Sequence, residues 1–196
     1  MNISVYNPAP TYIIIDDIIT PELAQHMMDV VDVLGTDSNY TGNRNTLERR
    51  LQPYMHRGFI AGTAEDRKEV EIIAELSRIT SSLTSYIADV FKNSALDTIT
   101  GHRGFWLMKY GPGGEFEEHV DWSTDDDKQS TPAVATLCIK LNDEYTGGTT
   151  LINGSPIDVP QYGGAIWDGW TYHTAEPVEE GDRYVCVIHF LGTLKV

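Results

Sequence analysis

Two periodicities divide this chain. Leu23, Met27, Val30 and Leu34 recur at helical spacing, which marks one buried face of an α-helix. Thr20-Pro21-Glu22 stands ahead of them as a start signal: Thr caps, Pro suits the first turn, and Glu suits the positive end of the helix dipole. Gly35 ends the run. A longer stripe of Val70, Ile73, Leu76, Ile79, Leu83, Tyr86 and Val90 predicts a second helix packed on a sheet, with Thr63 to Asp66 as its start. From Thr98 onward the helical period disappears. Short apolar runs alternate there with Gly, Pro, Asp and Asn turns, the pattern of a sheet sandwich or barrel. Two N-terminal helices followed by antiparallel strands make an α+β domain, with helices buttressing one sheet.

The remaining segments are less regular. Residues 1–11 read as an extended, Pro-punctuated lead-in, and Tyr12 to Ile15 as a short apolar strand closed by Asp16 and Asp17. Thr36 to Arg57 is polar and reads as a long loop or a short hairpin. The part spanning 40–52 carries Arg44, Arg49 and Arg50. It is a candidate lid, since long loops in compact domains are often functional. The alternative is a solvated run paired with nearby carboxylates. The Met residues of the first helix read as core filler.

A chain of 196 residues is expected to form a single domain, 1–196, with helical support over 20–93 and a barrel core over 98–192. The net charge of -15 disfavours nucleic acid, whose binding depends on phosphate neutralisation by Lys and Arg. It mildly favours neutral or cationic substrates by long-range steering, though solubility explains it more simply. Cys138 and Cys186 sit in apolar runs and read as free thiols of a reducing compartment. No apolar run is long enough to span a membrane and no charged-then-apolar leader opens the chain, so the expectation is a cytoplasmic protein without membrane contact.

The chemistry concentrates between Tyr110 and Arg183. His119 and Asp121 are two apart, and on an extended backbone such residues point to one side. One metal ion could touch both. His173 follows far downstream, and Arg183 comes ten residues later. Two His and one carboxylate on one face of a metal form the facial triad of non-haem Fe(II) oxygenases, which leaves positions open. His-x-Asp alone is weak; the combination with a distal His and an Arg is stronger.

These residues resemble the Fe(II)/2-oxoglutarate dioxygenase superfamily, prolyl 4-hydroxylase-like branch. The branch pattern Tyr-x-x-Gly-x-x-Phe-x-x-His-x-Asp is met by Tyr110, Gly113, Phe116, His119 and Asp121. Thr136, Leu141 and Asn142 fit the following strand, with Lys140 where the branch has Tyr. Gly147, Gly148 and Thr150 fit its turn, and Gly163, Ala165 and Ile166 the next strand. His173, Pro177, Val178, Gly181 and Arg183 fit the closing pattern. The resemblance covers roughly 98–192 and implies a double-stranded β-helix, the jelly-roll barrel. It implies His119, Asp121 and His173 as iron ligands and catalytic centre, with 2-oxoglutarate and dioxygen on the open positions and ascorbate as a further candidate cofactor. The carboxylate Asp121 favours hydroxylation over halogenation. Arg183 would pair with the far carboxylate of 2-oxoglutarate, as a guanidinium offers two parallel donors to a carboxylate; the plainer alternative pairs it with Glu179, Glu180 or Asp182. Tyr110 matches a Tyr that helps hold the co-substrate.

Strand alternation extends the set. If Arg183 faces the barrel interior, so do Val185, Val187 and His189; if Tyr110 does, so do Met108 and Trp106. Thr136, Cys138 and Lys140 share one face, and Lys140 is a candidate second cation for the co-substrate. The branch commonly has Trp at the position of His189, so His189 is expected to contact the iron-side carboxylate of the co-substrate or a water beside it. Trp122 faces away from the ligands by the same alternation. The acidic segment from Ser123 to Pro132 reads as solvated, and His26, His56 and His102 as ordinary. The leading function is hydroxylation of an amino-acid side chain, with peptidyl proline, in a protein or peptide substrate, as first guess. A free amino acid or other small-molecule substrate, and a barrel that binds a metal or partner without turnover, are the alternatives.

Overall fold

The computed structural model describes residues 3–6, 12–38, 42–52, 64–92, 96–121 and 133–195. Thr63, His56, Trp122 and the acidic segment 123–132 lie outside them.

Helix α1 runs Pro21–Leu34. Thr20 Oγ1 accepts the Leu23 N–H at 3.2 Å, a cap that contributes about 1 kcal/mol, and the Gly35 N–H donates to Val31 O. It buries Leu23, Met27 and Val30 as the spacing predicts. Helix α2 runs Ala64–Val90. Its buried stripe is Ile72, Ile73, Leu76, Ile79, Leu83 and Ile87, while Val70 is 40% exposed. The expected stripe is corrected at its ends for a geometric reason. Steps averaging about 3.3 residues from Val70 to Val90 lag the 3.6-residue turn, so they drift off the buried face.

The strands are β1 (Ile3–Tyr6), β2 (Tyr12–Ile15), β3 (Thr36–Asp37), β4 (Asn43–Leu51), β5 (Leu96–His102), β6 (Phe105–His119) and β7 (Ala133–Lys140). They continue as β8 (Tyr145–Gly147), β9 (Thr150–Ile152), β10 (Ser155–Pro156), β11 (Gly164–Asp168), β12 (His173–Ala175), β13 (Val178–Gly181) and β14 (Arg183–Leu194). Among the described residues the main sheet runs β1-β2-β11-β7-β14-β6-β12-β9-β10, with β4 added on β6 and β5 on β14. Strands β8 and β13 pair separately. This is an antiparallel, curled jelly-roll sheet with two helices.

The described residues sharpen two readings of the N-terminal half and correct the candidate lid. The lead-in contributes β1, paired antiparallel to β2. Of the two readings of the polar stretch its described part takes the hairpin: β3 pairs β4, with Thr36 opposite Glu48, and β4 pairs along β6 from Thr46–Tyr110 to Leu51–Phe105. A strand so paired is not a lid. Its arginines meet carboxylates instead: Arg44 with Glu115 and Glu117, Arg49 with Glu69 of α2, and Arg50 with Glu48.

Alternation sorts the sheet into two faces. Phe105, Leu107, Leu137, Ile139, Ile166, Tyr184, Cys186, Ile188 and Phe190 join the helices in one apolar core. The intervening residues Trp106, Met108, Tyr110 and Val185 form a second cluster on the opposite face, beside a third of Ile14, Ala165 and Trp167. Cys138 is opposite Val187 and Cys186 opposite Ile139 in adjacent strands. The two thiols therefore point to opposite faces, and both are free.

Candidate metal centre and active site

His119 ends β6 and His173 opens β12, and the two are direct cross-strand partners. Their rings lie 4.2 Å apart. Asp121 sits just past the end of β6. One of its oxygens, Oδ1, lies 3.6 Å from Nε2 of each histidine, and one ligand atom from each of the three falls within 4.8 Å of the others. His119 Nδ1 is 2.8 Å from Glu117 O and His173 Nδ1 is 2.9 Å from Thr171 O. A carbonyl only accepts, so each Nδ1 carries a proton, and in the neutral ring Nε2 presents a bare lone pair. That is the tautomer a metal needs, fixed by an outer hydrogen bond.

Asp121 is aimed by more than strand alternation. Thr136 Oγ1 of β7 donates to Asp121 Oδ2 at 2.5 Å. Burial opposes the charge on Asp121, but His189, His119, His173 and this hydroxyl outweigh it and hold the carboxyl well below its usual range. Burial also lowers the pKa of His173. The set is therefore one anionic carboxylate and neutral imidazole, the protonation state of metal ligands.

Tyr110 and His119 are nine residues apart, an odd step that would place them on opposite faces of a regular strand. Both line one cavity of 230 Å³. The strand is irregular between them: Gly113 has φ +76°, and register shifts occur against both β4 and β12. Glycine takes this left-handed conformation without a Cβ clash.

Arg183 opens β14 opposite Tyr110 and is 5% exposed. Nη2 donates to Thr150 Oγ1 at 2.9 Å, and the guanidinium stands 5.2 Å from the Tyr110 ring centre. Its buried Nε has no hydrogen-bond partner. The acids offered by the plainer reading do not pair with it among the described residues, and Asp182 engages Lys109 at 3.0 Å. A buried guanidinium with an orphan donor calls for an anion in the cavity. Gly148, at φ +61°, lets the chain approach: a Cβ there would lie 2.9 Å from Arg183 Cδ.

Thr136 and His189 lie together in the same cavity, their Oγ1 and Nδ1 3.3 Å apart. His189 Nδ1 is 3.7 Å from Asp121 Oδ1, and its ring meets the Trp106 ring edge-on at 4.8 Å. The Thr136 proton is committed to Asp121, so His189 Nδ1–H donates to the hydroxyl and leaves Nε2 as an acceptor. The Nδ1–H of His189, which could have met the co-substrate carboxylate, is thus turned to Thr136. Lys140 is placed elsewhere. It pairs with Asp143 and lines a neighbouring cavity of 240 Å³ that shares Arg183, Thr150 and Cys138 with the first.

Sequence reasoning missed several contributors. Asn142 Nδ2 donates to Asp182 O at 2.8 Å and its Oδ1 accepts from Tyr184 N at 2.9 Å, so it grips the backbone on both sides of Arg183. Its place in the motif was visible, but its role was not. Trp167 packs 4.7 Å from His173 and carried no spacing signal, whereas Thr150, visible in the motif turn, holds Arg183, a role the motif did not give. His26 faces Glu71 and His102 accepts from Gly104 N–H, both away from the centre.

Known proteins agree with this geometry. The family model described as 2OG-Fe(II) oxygenase superfamily matches residues 105–191. That match spans under half of the chain, which over these strands resembles the Fe(II)- and 2-oxoglutarate-dependent oxygenase superfamily. The matched family implies Fe(II), 2-oxoglutarate and dioxygen, and the His-Asp-His set fits the iron. A PKHD-type hydroxylase of Synechococcus elongatus is 25% identical over 131 residues, 61% of this chain and 59% of its own. The chain thus spans about three fifths of the length of that curated relative. Among solved structures, a viral collagen prolyl hydroxylase from Paramecium Bursaria Chlorella virus-1, in complex with 2-oxoglutarate, superposes with TM-score 0.68 at 16% identity, covering 93% of this chain and 97% of that one. A Pseudomonas putida prolyl-4-hydroxylase gives 0.63 at 13% identity, covering 93% of each chain. At these identities the superpositions establish the jelly-roll fold. Among the described residues no helix is long and apolar enough to cross a membrane.

Proposed function

We propose that this protein is an Fe(II)- and 2-oxoglutarate-dependent dioxygenase that hydroxylates an amino-acid side chain, with peptidyl proline the first substrate to test. One observation carries the reading. Two imidazoles with Nδ1–H bound to carbonyls turn bare Nε2 atoms to one oxygen of Asp121, while a buried Arg183 lines the same cavity. In this reading His119, Asp121 and His173 hold iron, and Arg183 takes the far carboxylate of 2-oxoglutarate beside Tyr110 and Thr150. Bound there, these groups supply a coupled chemistry in which 2-oxoglutarate and dioxygen yield succinate, CO2 and an oxygen atom inserted into a substrate C–H bond.

The chain's own residues prepare that chemistry. Thr136 fixes one Asp121 oxygen and leaves the other for metal. Met108, Val185 and Val187 make the cavity wall apolar, which excludes water and strengthens the charge pairs inside. His189 Nε2 is assigned to an ordered water or a substrate donor; a carboxylate would be repelled by its lone pair. Lys140 would act on the co-substrate only from the neighbouring cavity. The prolyl substrate is suggested by the collagen prolyl hydroxylase and the prolyl-4-hydroxylase whose fold this chain shares. Pairing of β2 with β11 and of β4 with β6 supports treating 1–196 as one domain, and the unbridged thiols fit a cytoplasmic setting.

Succinate release from 2-oxoglutarate by the Fe(II)-loaded chain tests the proposal and separates it from a binding barrel. Asp121→Ala and His173→Ala should abolish release while the circular dichroism spectrum is kept. Wild-type turnover by Asp121→Ala would remove the reading. Mass spectrometry of proline peptides and amino-acid pools for added oxygen then separates a peptide substrate from a small molecule.

A further inference from the structure

The wall of the triad cavity holds an acceptor that the metal set and the co-substrate leave unused. His189 stands on β14 opposite Thr136 of β7. It is 7% exposed and lines the cavity. Backbone and ring are both fixed: its carbonyl accepts the Arg103 N–H at 3.0 Å, its ring meets Trp106 edge-on, and its Nδ1 lies 3.3 Å from Thr136 Oγ1. The Thr136 proton goes to Asp121 Oδ2. The hydroxyl therefore offers His189 only lone pairs, and Nδ1 carries the hydrogen. Burial favours the neutral ring, and in a neutral ring with Nδ1 protonated, Nε2 accepts. Among the described residues nothing donates to Nε2, yet it is not an occluded orphan like Arg183 Nε; it opens on the cavity.

The other polar side chains at hand are engaged. Thr174 Oγ1 donates to Phe116 O at 2.6 Å, Thr150 Oγ1 accepts from Arg183, and the three ligands converge on the metal position. Beside His189 the wall is apolar, with Trp106 and Val187. An acceptor fixed in such a wall loses its water when a ligand fills the cavity, and the loss is costly unless the ligand donates to it. A site built this way rejects ligands that lack the donor.

We propose that the substrate to be hydroxylated carries an N–H donor beside the reacting carbon, accepted by His189 Nε2. The inference rests on the oxygenase reading and deepens it. An amino-acid substrate has one donor whatever its side chain, the main-chain nitrogen. Nε2 is placed to use it: Nδ1 of the same ring is 3.7 Å from Asp121 Oδ1, so one ring width and one hydrogen bond of about 3 Å lead from the metal ligand to the donor. Two sources supply the group: the ammonium of a free amino acid, or an amide N–H of a peptide. A prolyl nitrogen within a peptide has no hydrogen. A prolyl peptide would therefore meet Nε2 through the N–H of the residue that follows.

The test is calorimetric binding to the full chain loaded with Mn(II) and 2-oxoglutarate under anaerobic conditions. Each probe is paired with a form stripped of the donor. Free amino acids, proline included, are set against their fully N-methylated betaines, which keep the positive charge. Acetylated amino-acid amides are set against their N-methyl counterparts, and acetyl-prolyl-alanine amide against the same peptide methylated on the alanine main-chain nitrogen. The N–H member of at least one pair should bind about fivefold or more tightly than its partner, and the pair that responds identifies the source. His189→Phe and His189→Asn should erase the preference. His189→Gln, whose amide oxygen can stand near the Nε2 position, should keep part of it. Equal binding within every pair would assign Nε2 to a water and overturn the proposal. Absence of binding by every N–H probe, or an unchanged preference in His189→Phe, would overturn it too. So would a preference kept in His189→Asn and lost in His189→Gln, since that order places the role in the Thr136 contact. Thermal melts of the variants guard against a folding defect. Succinate release is read separately. A chain that shows the His189-dependent preference but never forms succinate keeps this contact and loses the oxygenase reading. A chain that forms succinate without the preference does the reverse.

Discussion

At the scale of single residues, the centre is a set of hydrogen bonds that leave chosen atoms bare. Carbonyls take the Nδ1 protons of His119 and His173, and Thr136 takes one side of Asp121. The result is three lone pairs aimed together. His189 supports this arrangement through Thr136. His189→Phe keeps the ring volume and the contact with Trp106 but removes the bond to Thr136. A neutral hydrogen bond is worth about 1 kcal/mol, so succinate formation should fall about fivefold with little change in melting temperature. Wild-type kinetics in this variant would show that Thr136 orders Asp121 unaided. Arg183→Ala acts on a different step. Loss of one partner of a buried charge pair costs on the order of 2 to 5 kcal/mol, so the 2-oxoglutarate requirement should rise about 30-fold or more while iron binding is kept. An unchanged 2-oxoglutarate titration would move the anchor to another group, with Lys140 the next candidate.

At the scale of elements, the hairpin β3–β4 works as a strap that joins the sheet to α2. Arg49 sits on its helix-facing side and pairs at 2.7 Å with Glu69, which is 5% exposed. Arg50, on the other side, pairs with Glu48 and covers Trp106. Arg49→Ala leaves a buried carboxylate without its cation, a loss of about 1 to 3 kcal/mol, or about 2 to 4 °C in melting temperature for each kcal/mol at this chain length. Arg50→Ala loses a more exposed pair and should shift the melt by less than half as much. Equal shifts would show that Glu69 has no need of Arg49. This strap also marks where sequence reading stopped. Arg44 and Arg49 meet carboxylates brought from β6 and α2, and such long-range pairing leaves no local period. The same limit hid the roles of Asn142 and Thr150, whose places in the motif were visible. By contrast, Val185, Val187 and His189 were legible from strand alternation once Arg183 was placed, because β14 keeps its pleat throughout that stretch. The convergence of His119, Asp121 and His173 was legible from spacing, since residues two apart on an extended chain share a side.

At the scale of the whole molecule, one sheet divides two environments, a helix-covered core on one face and the chemistry on the other. The sheet edge near Gly104 joins them, and there a pH response is built in. His102 stacks on Phe105 with ring centres 4.8 Å apart, and its Nδ1 accepts the Gly104 N–H at 3.1 Å. Burial lowers its pKa below the usual 6.5, so the folded state prefers the neutral ring. For a depressed pKa the stabilisation is present in full above the unfolded value and is lost as pH falls through the folded one. The melting temperature should therefore hold between pH 9 and pH 7, at about the alkaline side of the histidine range, and decline below about 6.5. His173 and His189 are also shifted downward by burial, so the metal-free protein declines for three reasons of one sign. The share of His102 is isolated by His102→Phe, which keeps the stack and cannot take a proton. Melts of both metal-free proteins from pH 8 to pH 5 should show a shallower decline in the variant. Parallel curves would mean that His102 is protonated as readily in the folded chain as in the unfolded one, and that the Gly104 bond is too weak to resist it.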